Sequence, residues 1–171
     1  MVATSRPPLR AVVGTIVFVA LVPGTIAGIV PWWLARGTPP EERFGGWLTV
    51  VAGVALIVAA LPVFMMFVSR FVTEGHGTPA PIAPPEHLVV GGPFRWCRNP
   101  GYVGVVGLVA GQGLVFGSPR VLVYAAVLLV GFHLFVLLYE EPTLRQTFGA
   151  EYDDYCRRVP RWIPRGLRAS S

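Results

Sequence analysis

Two short stretches hold the side chains best able to do chemistry: Arg98-Asn99-Pro100, inside GGPFRWCRNPGYVG at residues 91–104, and the acidic pair Glu140-Glu141. Asn99 has the side chain of a helix N-cap and Pro100 suits the first helical position. The helix that follows should therefore turn its free N–H groups and positive dipole end toward the preceding loop. Arg98 adds a fixed charge that can grip a carboxylate or phosphate through two hydrogen bonds. Two readings stay open, an anion-receiving helix start and a capped helix with basic membrane anchors. Glu140 and Glu141, followed by Pro142, are expected at the C-terminal end of an apolar helix, where two carboxylates oppose the dipole and repel each other. They need a cation, a proton or hydroxyl donors. Arg145, one turn on, is the local candidate, and a cationic or hydroxyl-bearing ligand is the other. His133, two turns before Glu140, is expected to face the interior of a helix bundle, as a hydrogen-bonded structural residue or as a ligand.

The elements that position these groups are mostly apolar. Of 171 residues, 53% are hydrophobic and 13% charged, too apolar a balance for a soluble domain of this size. Four runs lack charge, at 11–35, 47–69, 101–118 and 121–139. Since ~20 helical residues cross a hydrocarbon core of about 30 Å, the expected fold is all-α and integral to the membrane, one domain with four transmembrane helices. Trp32-Trp33 marks an interfacial belt, and the length and prolines of the first run argue against a cleaved signal peptide. All fourteen basic residues are arginine, eleven on one side of this topology and only Arg36, Arg43 and Arg120 on the other. The positive-inside rule then puts both termini and the loop 73–100 on the cytoplasmic face, as in a bacterial-type cell membrane. Anionic lipid headgroups beside these arginines account for the +5 net charge without nucleic acid. Cys97 and Cys156 lie on the reducing side, too far apart in sequence for a metal motif, and no metal is expected.

The loop 73–100 is rich in Gly and Pro but also carries Leu88, Val89, Val90, Phe94 and Trp96, apolar anchors that a solvated linker lacks, so it reads as functional. Gly75-His76-Gly77 is loop punctuation, too short for a phosphate loop. Gly117-Ser118-Pro119-Arg120 makes helices three and four an antiparallel hairpin closed on the far side. Gly107 and Gly111 on helix three form a small-xxx-small pair, suited to close helix packing or to a groove for a flat ligand. Beyond helix four, Leu144, Phe148, Tyr152, Tyr155 and Val159 recur at helical spacing, which predicts a cytoplasmic amphipathic helix over 142–159, lying on the bilayer, on the core or against substrate.

Taken together, GGPFRWCRNPGYVG, a hairpin, and then EEPTLRQTFGAEYDDYCRRVPRWIP resemble the membrane methyltransferases of the isoprenylcysteine carboxyl methyltransferase and phospholipid methyltransferase superfamily. The likeness covers roughly residues 74–164 and rests on five features in order: G-P-aromatic-R, R-N-P-x-Y, the acidic pair, F-G-x-E-Y and V-P-R. The resemblance implies methyl transfer from S-adenosylmethionine to a lipophilic, membrane-embedded acceptor. It places the cofactor on the cytoplasmic side against Leu88, Val89, Phe94, Asn99, Pro100, Tyr102, Glu140 and Glu141, with Arg98 and Tyr102 as the groups closest to the reaction. One zwitterionic ligand would then partner both the anion site and the acidic pair. The isoprenylcysteine enzymes resemble R-H-P at the helix start and carry an arginine about one turn before the acidic pair. Here the corresponding residues are Arg98-Asn99-Pro100 and Val136-Leu137-Leu138, which favours a phospholipid amine over a prenylcysteine carboxylate. The candidate bases for an amine are Tyr102, Glu140 and His133. The rival readings are a noncatalytic lipid-binding or accessory protein on the same scaffold and, behind it, a haem protein, for which His133 is the sole histidine in a span.

Overall fold

Residues 9–73, 88 and 90–163 are described by the structure, a computed structural model. Every regular element among them is helical. The chain runs as α1 (Leu9–Gly24), a wide π-turn (Thr25–Ile29) and α2 (Val30–Arg36), then α3 (Trp47–Thr73), α4 (Pro100–Phe116) and α5 (Pro119–Phe135). A second π-turn (Val136–Glu140), α6 (Glu141–Phe148) and α7 (Ala150–Arg158) complete it. Three stretches are long and apolar enough to cross a membrane, Val17–Arg36, Trp47–Arg70 and Pro119–Phe148. The fourth apolar helix, α4, has 17 residues. At 1.5 Å per residue that is about 25 Å, a little less than a hydrocarbon core.

Glycine decides how α3 and α4 meet. On α4, Gly101, Gly104, Gly107 and Gly111 form one stripe, and a Cβ added at Gly104 would lie 2.8 Å from Phe64 Cβ, at Gly107 2.8 Å from Ala60 Cβ, and at Gly111 2.6 Å from Ile57 Cγ1. The small-residue stripe thus brings two backbones together, the usual means of gaining dispersion contact where lipid offers no hydrophobic drive. The groove that could have taken a flat ligand is filled by α3.

The α4–α5 hairpin closes as expected. Gly117 ends α4 in the left-handed region (φ 58°) and Ser118 caps α5, its hydroxyl accepting from Val121 N–H and pairing with Thr38 Oγ1 at 2.6 Å.

Both π-turns lie two residues before a proline, Pro31 and Pro142. Proline has no N–H to give the carbonyl four residues earlier, and its ring crowds that carbonyl. Widening the preceding turn to an i→i+5 bond, Val30 N–H to Thr25 O and Glu141 N–H to Val136 O, relieves the crowding without ending the helix. For this reason the helix expected to end at Tyr139 continues to Phe148, and the acidic pair lies inside the rod instead of at its C-terminus. The single amphipathic helix expected over 142–159 is likewise two, α6 and α7, because Gly149 takes a positive φ of 51° that breaks the helical path. Its apolar face survives the break: Tyr152, Tyr155 and Val159 are buried together, with Leu88, Leu144, Phe148 and Cys156 packed on them.

Candidate functional site

The end of the bundle where α4 begins and the second π-turn lies gathers most of the buried charge. Pro100 starts α4, which places Arg98 and Asn99 against the turn at its mouth. Pro142, by holding the α5–α6 rod together through the π-turn, delivers Glu140 and Glu141 to the same end. Glu141 is buried and accepts two hydrogen bonds from Arg161, whose Nε and Nη2 grip its oxygens at 2.6 and 2.9 Å, while Arg98 Nη1, which donates to Cys156 Sγ at 2.6 Å, completes an ion pair 3.1 Å from Oε1. The fork geometry of Arg161 is the bidentate arrangement that makes such pairs strong. Its hydrogen bonds to Glu141 raise the pKa of the Arg161 guanidinium still further above its ordinary value. Arg98 Nε is buried with no partner among the described residues.

Glu140, one residue away, points elsewhere. Its Oε2 accepts from the Tyr102 hydroxyl at 3.0 Å, and the Tyr102 ring stacks on Phe132 with centroids 4.6 Å apart. The two acidic neighbours therefore divide, Glu141 into an internal ion-pair cluster and Glu140 into a single hydrogen bond from Tyr102 to Oε2.

The residues singled out by sequence come together with some changes of role. Leu88 packs on the Tyr152–Tyr155 cluster, and the Phe94 ring stands 6.2 Å from Phe67. Val89 lies outside the described residues. Pro100 is buried at the first position of α4. Asn99 precedes the helix, but its side chain does not cap it; Nδ2 donates instead to Arg161 O at 3.1 Å. The carboxyamide is drawn away because a carbonyl from the C-terminal segment competes for it. Arg145 does not partner the acidic pair: it bonds Asp153 at 2.8 Å across the Gly149 bend, out in solvent. His133 is half-buried and accepts at Nδ1 from the Trp162 indole N–H at 3.0 Å.

What the sequence reading missed is the strap formed by residues 160–162. Pro160 O accepts from Arg98 N–H at 2.9 Å, Arg161 supplies both its carbonyl to Asn99 and its guanidinium to Glu141, and Trp162 reaches His133. Three consecutive residues thus tie the loop, the start of α4, α5 and α6 to one another. The signal lay in V-P-R-W, where Pro160 stiffens the backbone and two long polar-tipped side chains follow, but nothing in their spacing pointed to partners twenty or more residues away. Tyr155 adds a further stitch, its hydroxyl donating to Phe94 O at 2.8 Å, and burial pushes the Tyr152, Tyr155 and Cys97 acid groups up, so none is a nucleophile at neutral pH. Among the described residues no group of three His, Cys, Asp or Glu side chains could hold a metal ion.

Comparison with known proteins adds to this geometry. Residues 43–151 match the family described as phospholipid methyltransferase. A probable protein-S-isoprenylcysteine O-methyltransferase of Oryza sativa subsp. indica is 34% identical over 77 residues, which cover 45% of this chain and 40% of that protein. The protein-S-isoprenylcysteine O-methyltransferase of Mus musculus is 36% identical over 77 residues, covering 45% of this chain and 27% of that one. A nickel-cobalt-cadmium resistance protein, NccN, of Alcaligenes xylosoxydans xylosoxydans is 40% identical over 82 residues, 46% of this chain and 36% of its own. These alignments span less than half the length of the curated relatives.

Proposed function

The chain belongs to the phospholipid methyltransferase family, and we propose that it is a membrane enzyme that transfers a methyl group from S-adenosylmethionine to a lipophilic acceptor, with a phospholipid amine the first choice and an isoprenoid-type molecule the second. In this reading α4 is a fourth crossing, both termini and the loop before α4 are cytoplasmic, and the cofactor binds at the charged end of the bundle. The observation that carries the proposal is Arg98 Nε, buried and without an acceptor, at the same end as Glu140, whose Oε2 accepts from Tyr102 and whose Oε1 has no donor among the described residues. A zwitterionic amino acid moiety has the complementary carboxylate and ammonium, and the first N–H groups of α4 add donors for the carboxylate. The residues present fit the cofactor on this count.

Arg98, held by Glu141, and the start of α4 at Asn99 and Pro100 would hold the cofactor's carboxylate, Glu140 its amino or ribose groups, and Leu88, Val89 and Phe94 its adenosine. When bound, S-adenosylmethionine supplies an already electrophilic methyl group, so the protein's part is alignment and exclusion of water. Glu141 acts at one remove: by fixing Arg98 and Arg161 it sets where the positive charge stands. Tyr102 fixes the orientation of Glu140 through its hydrogen bond, and Tyr102, Glu140 and His133 are the candidates to take a proton from an amine. No arginine stands in the turn Val136-Leu137-Leu138, and a carboxylate desolvated there lacks a cation.

Titration of the detergent-solubilised protein with S-adenosylmethionine tests the cofactor: micromolar binding is expected, and none at millimolar ligand would return the scaffold to a lipid-binding role. Radiolabelled methyl transfer run in parallel on phosphatidylethanolamine vesicles and N-acetyl-farnesylcysteine tests the acceptor. Label in the first is expected, and label confined to the second would reverse the assignment.

A further inference from the structure

The two π-turns are built alike and finished differently. In each, one carbonyl is left with no helical donor at all. For Ile26 the N–H four residues on, Val30, is spent on Thr25 O and the residue five on is Pro31; for Leu137 the N–H of Glu141 is spent on Val136 O and the residue five on is Pro142. The next carbonyls, Ala27 and Leu138, face the same prolines four residues away. In the first π-turn both are answered by side chains from neighbouring helices. Tyr124 Oη donates to Ile26 O at 3.2 Å and Gln112 Nε2 to Ala27 O at 2.7 Å. In the second, the hydroxyl of Thr143 bonds Tyr139 O at 2.7 Å, yet among the described residues no side-chain donor reaches Leu137 O or Leu138 O. Both residues are open, Leu137 37% and Leu138 75% exposed. A carbonyl at or near the membrane without a donor costs several kcal/mol, which is why the first pair is covered by protein.

We propose that the open π-turn at Val136–Glu140 is a positioning site for the methyl acceptor, in which Leu137 O, with Leu138 O beside it, receives an N–H or O–H of the acceptor's polar head one helical turn from Glu140. The inference rests on the methyl-transfer reading and deepens it by naming a chemical requirement. Carbonyl oxygens accept and never donate, so the site takes head groups that carry hydrogens on nitrogen or oxygen and rejects carboxylates, for which two further lone pairs are repulsive. A fully methylated ammonium has no hydrogen left to give and loses the contact, so occupancy falls as methyl groups accumulate. Pro142 is the residue that keeps the site open. A residue with an N–H there would bond Leu138 O four back, and the turn, relaxed to the usual register, would give the Glu141 N–H to Leu137 O, closing both carbonyls.

Binding without cofactor tests this apart from catalysis. Short-chain phosphatidylethanolamine, its N,N-dimethyl derivative and phosphatidylcholine are titrated into the detergent-solubilised full chain, into Pro142→Ala, and into Pro31→Ala, the matched change at the turn whose carbonyls are already bound. The ethanolamine head should bind about tenfold more tightly than the choline head to the unaltered chain and to Pro31→Ala, the worth of one hydrogen bond to a charged donor. Pro142→Ala should lose that preference while retaining its helix content. Equal binding of the three heads to the unaltered chain would overturn the proposal even if Pro142→Ala failed to fold, and so would a preference that survives in folded Pro142→Ala. Head-group preference without any methyl transfer would instead sink the enzymatic reading and leave the site standing.

Discussion

The two ends of the helix bundle are both held by arginine–glutamate pairs, and the pairs differ in what surrounds them. At the far end Arg120 makes a bidentate bond to Glu42 at 3.0 Å, adds a bond to Gly37 O, and stands in solvent with side chains 44% and 42% exposed. At the near end Arg98 and Glu141 are 11% and 7% exposed, and Arg161 joins them. An exposed pair gains little from its Coulomb attraction, whereas a buried cluster is costly to assemble and more costly still to leave half-made. The far end is therefore a clamp that tolerates loss. The near end is a specification: charge has been desolvated there, in a chain otherwise so apolar, which supports its proposed role as the cofactor end.

Substitutions can break this contrast, and the largest effect belongs to Glu141. Glu141→Ala leaves Arg98 buried and Arg161 partly buried around a void, and a loss of about 3 to 5 kcal/mol of stability is expected, seen as a sharp fall in melting temperature and in yield of monodisperse protein. Little change would mean that water reaches the cluster and that the near end is no more specified than the far one. The middle of the bundle gives the next effect. Gly111→Ala puts a Cβ 2.6 Å from Ile57 Cγ1 and 2.9 Å from Gly53 O, and backbone cannot swing aside, so about 1 to 3 kcal/mol should be lost, by thermal denaturation in detergent. Tyr102→Phe is milder and cleaner: it removes one hydrogen bond to Glu140 while keeping the ring on Phe132. Methyl transfer should fall by about tenfold with cofactor affinity and melting temperature nearly unchanged, and an unchanged rate would take Tyr102 out of the reaction. Arg120→Ala should be smallest, within about 1 kcal/mol, and its stability in high and low salt should converge. A loss as large as that of Glu141→Ala would erase the distinction between the ends.

The apolar rods, the glycine pair on α4 and the short hairpin at Gly117-Ser118-Pro119-Arg120 were legible because each rests on local pattern: charge-free length, small residues at helical spacing, turn residues between two apolar runs. The near end was legible as a list of residues and less so as a set of partnerships. Arg98 and Glu141 read as two sites awaiting one ligand because residues forty-three apart carry no mark of each other in sequence, and in the fold they meet. Asn99 had the chemistry of a cap, and its amide went to a carbonyl brought from residue 161. The acidic pair was placed at a helix end because Pro142 normally stops a helix, and a π-turn absorbed the proline.

By itself the sequence determined that this chain is helical and which stretches are apolar enough to lie in lipid, since those properties depend on composition and on periods of a few residues. Only the tertiary structure decided that Glu141 is satisfied within the protein while Arg98 Nε is not, and that one π-turn is sealed by Gln112 and Tyr124 while its twin stays open. Hydrogen bonds and ion pairs saturate: each donor is given once, and which acceptor receives it is settled by the contacts that packing brings within about 3 Å.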